Sequence, residues 1–529
     1  MNDSQATLER RIARLAAAGG SATFAGNRIG LEKEGLRVSA NGRLAETPHP
    51  LTLGAALTHP YITTDFSEAL IELITPPLSS GHAALEFLTD IHLYVYRHLP
   101  DELLWGTSMP CILSRTGEIP LARYGTSNAA TMKTAYRRGL GNRYGRTMQL
   151  IAGVHFNFSF ADAFWDLYQD QDQEAVAGER DGFRAEVQMG MIRNLQRIGW
   201  LVPYLFGASP AVCASFAQGR ETDLHRFDAD TLFYPHATSL RMGDIGYQNK
   251  QEEGTGIKAN YDSLDAYVRS LTWAIQTPCP QYEAIGVKVS DRYEQLNANV
   301  LQIENEYYST VRPKQITDWM EKPTLALRRR GIRYVELRSL DVNIFDPVGV
   351  GEEQLRFLEV LMLSCLLTES PRIGARERRE IDENQVLTAH RGREPGLALV
   401  RDRHPVALRH WAGEILAGMA AAAELLDGAA NGPRSESLRR QREKVDHPDL
   451  TPSARILETM RARHEGFFDF SQRLAEEHRR ELRSLELSPE RQALFDRLTV
   501  DSLRQQREIE AADDQSFDDF LETYFAQGD

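Results

Sequence analysis

Cysteine is scarce and scattered. The four residues, Cys111, Cys213, Cys279 and Cys365, form no CxxC pair and join no histidine cluster. That argues against a disulfide framework and against a zinc site, and it fits the reducing cytosol, so a cytoplasmic protein is expected. Basic residues are outnumbered: 61 Lys and Arg against 75 Asp and Glu leave a net charge of −14. Such a balance suits no general nucleic-acid partner, because phosphate binding needs clustered cations. Long apolar runs are missing as well. The most apolar window, Trp200 to Ala217, is broken by Pro203 and Pro210 and reads as buried core, not as a membrane span. The N-terminal MNDSQATLERRIARLAAAGG is charged and amphipathic and lacks a secretory apolar stretch. GxxxxGK[ST], HExxH and GxSxG are all absent, which removes support for a P-loop, a metalloprotease and an α/β-hydrolase. A nucleotide, if bound, is held through metal and sheet.

What remains is an ordinary globular composition over 529 residues, 26% of them charged, long enough for a large core. Helical periodicity is read over Thr7–Ala18, Leu85–Leu99, Glu186–Ile198 and Gly351–Thr368. Strands are read over Ile29–Val38, within Tyr61–Thr75, and over Ala152–Phe160, Asn299–Glu306 and Tyr334–Val342. Beyond about Arg372 strand signals fade, and Pro405–Leu426, Ser453–Leu487 and Pro489–Ala526 read as successive helices. This predicts an α+β catalytic body over 1–371 with a helical region, 372–529, packed on it, the two forming separate units or one continuous domain. From Asp501 to Asp529 nine acidic residues face two arginines, which reads as a solvated helix end.

The chemistry lies on strand faces. In RYVELRSLDVN, Glu336 and Arg338 share one face while Val335 and Leu337 pack behind. A carboxylate and a guanidinium side by side suit a place where a metal ion meets a phosphoryl group. GLEKEGLRV sets Glu32 and Glu34 on one face, where they repel unless a cation lies between them. ITTDFSEALIEL supplies Asp65, Glu68 and Glu72, and Asp65 and Glu72, seven apart, could flank a turn or meet across a bend. AGVHFNFSF alternates, putting His155, Asn157 and Ser159 opposite Val154, Phe156, Phe158 and Phe160. Taken singly, the Glu32/Glu34, Asp65–Glu72 and His155 segments read more readily as ordinary polar strand faces or a satisfied core histidine. Oxygen-rich sites with at most one His favour hard ions, Mg²⁺ or Mn²⁺, and magnesium is usually completed by phosphate oxygens. Arg241 could fork onto a substrate carboxylate or form a surface ion pair.

In order along the chain, thirteen segments resemble the glutamate–cysteine ligase (γ-glutamylcysteine synthetase) family of proteobacterial type: GLEKEGLRV, ITTDFSEALIELITP, YGTSN, NRYG, GVHFNFS, PYLFGASPA, ATSLR, NVLQIENEYY, RPK, VELRSLDVN, EPGLAL, HPDLTPSARIL and EIEAAD. The resemblance spans almost the whole chain. It implies a glutamine-synthetase-like fold, with a curved, mainly antiparallel sheet forming a funnel, and ATP-dependent ligation of L-glutamate to L-cysteine through a γ-glutamyl phosphate. It implies Glu32, Glu34, Asp65, Glu72, His155 and Glu336 at magnesium, and Arg338 beside the transferred phosphoryl. It further implies Arg241 on the glutamate carboxylate, Tyr247 and Tyr308 at cysteine, and Tyr136 and Gln149 in the amino-acid pocket. Feedback inhibition by glutathione and a monomeric state are further expectations. Lys33 stands where the family commonly has Arg, and should point away from its acidic neighbours. The rival readings are another carboxylate–amine ligase on the same fold, a non-catalytic binding protein, and a metal-dependent hydrolase.

Overall fold

The period-two alternation of the sequence becomes one sheet of seven strands. A computed structural model describes residues 2–99, 101–110, 113, 119–171, 180–217, 222–245 and 258–528. The strands are β1 (Arg28–Ser39), β2 (Ile62–Thr64), β3 (Leu70–Ile74), β4 (Glu102–Leu104), β5 (Val154–Ser159), β6 (Val311–Lys314) and β7 (Tyr334–Leu340). They pair in the order β6-β7-β5-β1-β3-β2, with β4 also on β1, and every pairing is antiparallel. One face carries Ile29, Leu31, Leu73, Val154, Phe156, Phe158, Val335 and Leu337, all fully buried or nearly so. Helices Gly81–His98, Arg180–Arg197 and Glu352–Leu367 pack against the sheet or one another behind it. That apolar face drives the fold, and the polar face is left as the lining of the site.

Two elements differ from the sequence pattern. Asn299–Glu306 is not a strand: Asn299 makes an isolated bridge to Pro278, and Glu304–Glu306 is a 3₁₀ turn. Its acids are each held by different donors. Glu304 accepts from the Thr324 hydroxyl at 2.5 Å, while Glu306 accepts from Arg143 and from the Tyr144 hydroxyl, each at 2.8 Å. The second difference lies beyond Arg372, where a hairpin, Ala398–Arg401 with His404–Ala407, precedes the helices. Asp402 and Arg403 both take positive φ there, the two-residue turn that matches strand twist. Helices Leu408–Gly418, Ala420–Asp427, Pro433–Asp446, Pro452–Arg463, Phe467–Ser484, Pro489–Ala512 and Phe517–Phe525 follow. No helix among the described residues is long and apolar enough to cross a membrane.

The acidic tail is partly engaged, against the expectation of a solvated end. Glu510 accepts from the backbone N–H of Thr126 at 2.8 Å, and Asp513 accepts from the Asn128 side chain at 2.6 Å and from its backbone N–H. Both carboxylates thereby sit at the N-terminus of helix Asn128–Tyr144, where the helix dipole favours negative charge. The other end of that helix is pinned by Arg143, which pairs with Glu306 with neither side chain exposed. Its guanidinium also lies 3.9 Å from the Tyr282 ring centroid. Arg143→Ala leaves Glu306 buried without its cation. We expect a loss of about 3–5 kcal/mol, read as a fall in the thermal denaturation midpoint.

Candidate active site

Strand register assembles the polar face. Glu32 on β1 stands opposite His155 on β5, and Glu34 stands opposite Glu72 on β3. Asn157 stands opposite Glu336 on β7, two residues before Arg338. Directly opposed residues share a face, so one face collects all seven side chains. Asp65 directly follows β2, with its N–H on the Leu70 carbonyl. It lies two residues beyond Thr63, which opposes Glu72, and so joins the same side at the hairpin bend.

The tightest group is Glu32, His155 and Glu336, each offering a ligand atom within 4.8 Å of the others. His155 Nδ1 lies 3.1 Å from Glu32 and 3.6 Å from Glu336, and Nε2 lies 3.6 Å from Glu34. Asn157 donates to Glu32 at 2.8 Å, and the Gly153 N–H donates to Glu34 at 2.7 Å. Arg338 donates to Glu336 at 3.0 Å and lies 3.3 Å from His155 Nδ1. Glu68, by contrast, holds loops: it accepts from the backbone N–H of His49 and of Arg123.

The acids do not share one electrostatic fate. Burial, then Glu32, Asp65 and Glu34, pushes the Glu72 carboxyl well above the ordinary range. Burial and Asp65 raise Glu34 likewise, against the pull of His155, Arg241 and Arg338. Burial also lifts Glu336, but Lys314, Arg338, His155 and Arg312 more than offset it and hold the carboxyl well below that range. Glu32 is lowered too: burial and Glu336 push it up, while the His155 hydrogen bond, His155 and Lys314 prevail. Arg338 loses by burial but gains more from Glu336, Glu34 and Glu32 and stays charged. Acid-rich ground of this kind fits a hard cation. So do Glu336 Oε2 and Asn157 Oδ1, both buried without a hydrogen bond.

Arg241 approaches from the 3₁₀ turn Leu240–Met242. It donates to the carbonyl of Arg338 at 2.7 Å and to the Met242 sulfur at 3.2 Å, and the Tyr308 hydroxyl lies 3.8 Å from that same sulfur. The guanidinium passes so close over Gly153 that a Cβ there would overlap it. Gln149 lies in the turn Thr147–Leu150, its Nε2 buried without a hydrogen bond. Tyr136 is half-buried on helix Asn128–Tyr144, packed against the cluster of Met132, Ala135 and Leu296. Tyr247 and the Gly254-Thr255-Gly256 stretch fall outside the described residues. Lys33 lies on the opposite face, 3% exposed and opposed to Leu73 and Val154, with burial pushing its ammonium down to about 8. Cys213, Cys279 and Cys365 are buried free thiols, and burial pushes Cys213 up to about 12, which makes it a poor nucleophile; Cys111 is outside the described residues.

Residues with no assigned role in the sequence pattern also converge here. Lys314 stands 3.7 Å from Glu336, and Arg312 directly opposes Glu336 across the β6–β7 ladder. Lys133 and Arg137, one turn apart, lie over the Tyr124 ring at 5.1 and 4.6 Å from its centroid. Arg137 also donates to the carbonyl of Asp65, and burial brings Lys133 down to about 8. Sequence signals exist for both pairs: RPK lies on the strand that pairs with VELRSL, and KTAYR places two cations at i, i+4.

An antiparallel sheet with a carboxylate cluster and an arginine on its polar face, and helices behind, agrees with the carboxylate–amine ligase of glutamine-synthetase-like fold that the sequence resemblance implies. Comparisons with known proteins narrow this. The profile of the family described as Glutamate-cysteine ligase matches residues 12–387. Glutamate–cysteine ligase of Alcanivorax borkumensis is 49% identical over 525 residues, covering 98% of this chain and 99% of the relative. That of Pseudomonas aeruginosa is 45% identical, covering 98% of each. The crystal structure of glutamate–cysteine ligase from Francisella tularensis, in complex with AMP, superposes with a TM-score of 0.88 at 34% identity, over 95% of this chain and 98% of that one. A bifunctional glutathione synthetase from Pasteurella multocida shares the fold, with a TM-score of 0.73 at 24% identity over 93% of this chain and 58% of that one. The chain belongs to the glutamate–cysteine ligase family, ATP-dependent ligases that form γ-glutamylcysteine.

Proposed function

We propose that the polar face of the sheet activates the γ-carboxylate of L-glutamate by phosphorylation from ATP and then joins it to the amine of L-cysteine. A carboxylate is a poor acyl donor because oxide is a poor leaving group. A γ-carboxylate oxygen attacks the terminal phosphorus and ADP departs. The cysteine amine then attacks the acyl carbon, loses a proton, and expels phosphate from the γ-glutamyl phosphate. The convergence of Glu32, His155 and Glu336 on the face that carries Arg338 is the observation that supports this reading most. The chain needs no nucleophile of its own for this chemistry; it needs positioning and charge neutralisation.

Glu32, Glu34, Glu72 and Glu336, with Asp65 and His155, would hold Mg²⁺ or Mn²⁺, which when bound screens the triphosphate against the γ-carboxylate. Arg338 faces the transferring phosphoryl and afterwards the oxyanion of the tetrahedral intermediate. Arg241 holds the α-carboxylate of glutamate through its forked donors. Tyr308 and Tyr247 border cysteine, with Tyr136 and Gln149 in the amino-acid pocket. A cytoplasmic monomer inhibited by glutathione at the amino-acid site completes the reading.

The deciding assay measures ADP release with glutamate and cysteine omitted in turn. Release should need both amino acids. Equal release with other amines would instead assign a different ligase, and none under any pairing would leave a binding protein. A separate outcome tests the Arg241 seat: Gly153→Ala should displace its guanidinium. The KM for glutamate is expected to rise about tenfold or more, since small misplacement of a positioning group is costly.

A further inference from the structure

Asp341, just beyond β7, is a buried carboxylate that the reaction as described does not use. Its side chain is fully buried. Oδ2 accepts from the N–H of Ala208 at 2.8 Å and from the Ser209 hydroxyl at 2.6 Å. Oδ1 accepts from the Ser239 hydroxyl at 2.9 Å and lies 3.8 Å from the Arg241 guanidinium. Three segments from distant parts of the sequence, GASPA, ATSLR and RSLDVN, thus meet on one side chain. Ser209 and Ser239 are bridged in parallel, and the Leu240 N–H bonds the Ser209 carbonyl at 2.7 Å. The carboxylate therefore fixes the turn that carries Arg241 and faces its charge as well.

A buried charge with three donors is expensive to build merely to join loops, since a well-packed apolar residue would do as well or better. Among the described residues, the cation its charge faces is Arg241. Arg241 also donates to the carbonyl of Arg338, three residues before Asp341 in the chain. One strand thus carries the arginine of the phosphoryl site and, through its carbonyl and Asp341, sets the angle of the arginine assigned to the glutamate carboxylate. We infer that Asp341 is a positioning residue that orients Arg241 for its substrate carboxylate and keeps that seat in register with Arg338. This rests on the reading of Arg241 as the carboxylate clamp.

The test compares Asp341→Asn, Arg241→Ala and the double variant in the full chain. The readouts are separate KM values for glutamate, cysteine and ATP, kcat, and the thermal midpoint. Asparagine keeps the shape and an acceptor but removes the charge. Asp341→Asn should raise the glutamate KM about tenfold, with the ATP KM unchanged. In the Arg241→Ala background the same change should add nothing to the glutamate KM. If Arg241→Ala raises that KM and Asp341→Asn does not, the positioning role is overturned and the clamp stands. Parallel rises in all three KM values with a lower midpoint would also overturn it, in favour of a purely structural part. An unchanged glutamate KM in Arg241→Ala sinks the clamp and this inference with it. Should Asp341→Asn fail to fold, Ser239→Ala carries the test: it removes the hydroxyl donor on the oxygen facing Arg241. The expected rise is about two- to fivefold in the glutamate KM alone, and no rise overturns the inference.

Discussion

Replacing Arg338 by alanine should lower turnover at least about a hundredfold while leaving the fold intact, since loss of one oxyanion-type contact removes about 3–4 kcal/mol of barrier stabilisation. The geometry makes the two halves of that expectation separable. Arg338 is not the sole counter-charge of Glu336: Lys314 stands 3.7 Å from it and Arg312 opposes it in the ladder. Glu336 therefore keeps cationic neighbours in the variant, and unfolding through an orphaned buried carboxylate is not expected. The Arg338 side chain is one-fifth exposed, so it reaches the open side of the sheet. Its Nε is buried without a hydrogen bond, as a donor awaiting an incoming anion would be. Lysine at this position should recover only part of the rate, because a point charge cannot reproduce a planar fork. ADP-release kinetics with a thermal melt check all of this. Turnover within a few-fold of the parent, at an unchanged melting temperature, would take the phosphoryl role away from Arg338.

How far this site can be read from the chain follows from which part of the physics is local. Alternation in GVHFNFS, GLEKEGLRV and VELRSLDVN sets which side chains share a face, because the strand period is fixed at two. Register is not local. That Glu32 meets His155, or that Asn157 meets Glu336, depends on pairing between strands some 120 to 180 positions apart, and only the fold or a family resemblance supplies it. The ENEYY stretch shows the limit most clearly. Its spaced acids mimic a polar strand face, yet Arg143 and Tyr144 draw Glu306 inward and Thr324 draws Glu304, so tertiary donors override the pattern. The acidic tail fails for the same reason: the amide donors of Thr126 and Asn128 are invisible until the helix N-terminus is placed beside it. Lys314 is legible only as a cation in RPK, and its proximity to Glu336 is a product of the β6–β7 ladder.

Glu32→Gln should shift the magnesium dependence of the reaction by at least about tenfold toward higher concentration. Partners that merely support a ligand commonly cost 10–100-fold in metal affinity, and a ligand carboxylate should cost no less. Glutamine keeps the volume, so Asn157 and His155 retain a neighbour of the same shape and what is lost is charge. The same charges make metal binding depend on pH. Glu72 is held well above the ordinary carboxylate range by burial and by Glu32, Asp65 and Glu34, so without a cation it keeps its proton to higher pH than an exposed glutamate. A cation binds the ionised form and must displace that proton. Affinity should therefore tighten as pH rises toward and through the raised Glu72 value, and level off above it. Because the Glu32 charge acts on Glu72 more strongly than any other group does, Glu32→Gln should also move that rise to lower pH even as it weakens binding overall. Titration calorimetry with Mg²⁺, or Mn²⁺ as a paramagnetic substitute, at several pH values separates the two effects. A metal isotherm unchanged by the substitution would remove Glu32 from the ligand set. Weaker binding with an unmoved pH profile would keep Glu32 as a ligand but deny its coupling to Glu72.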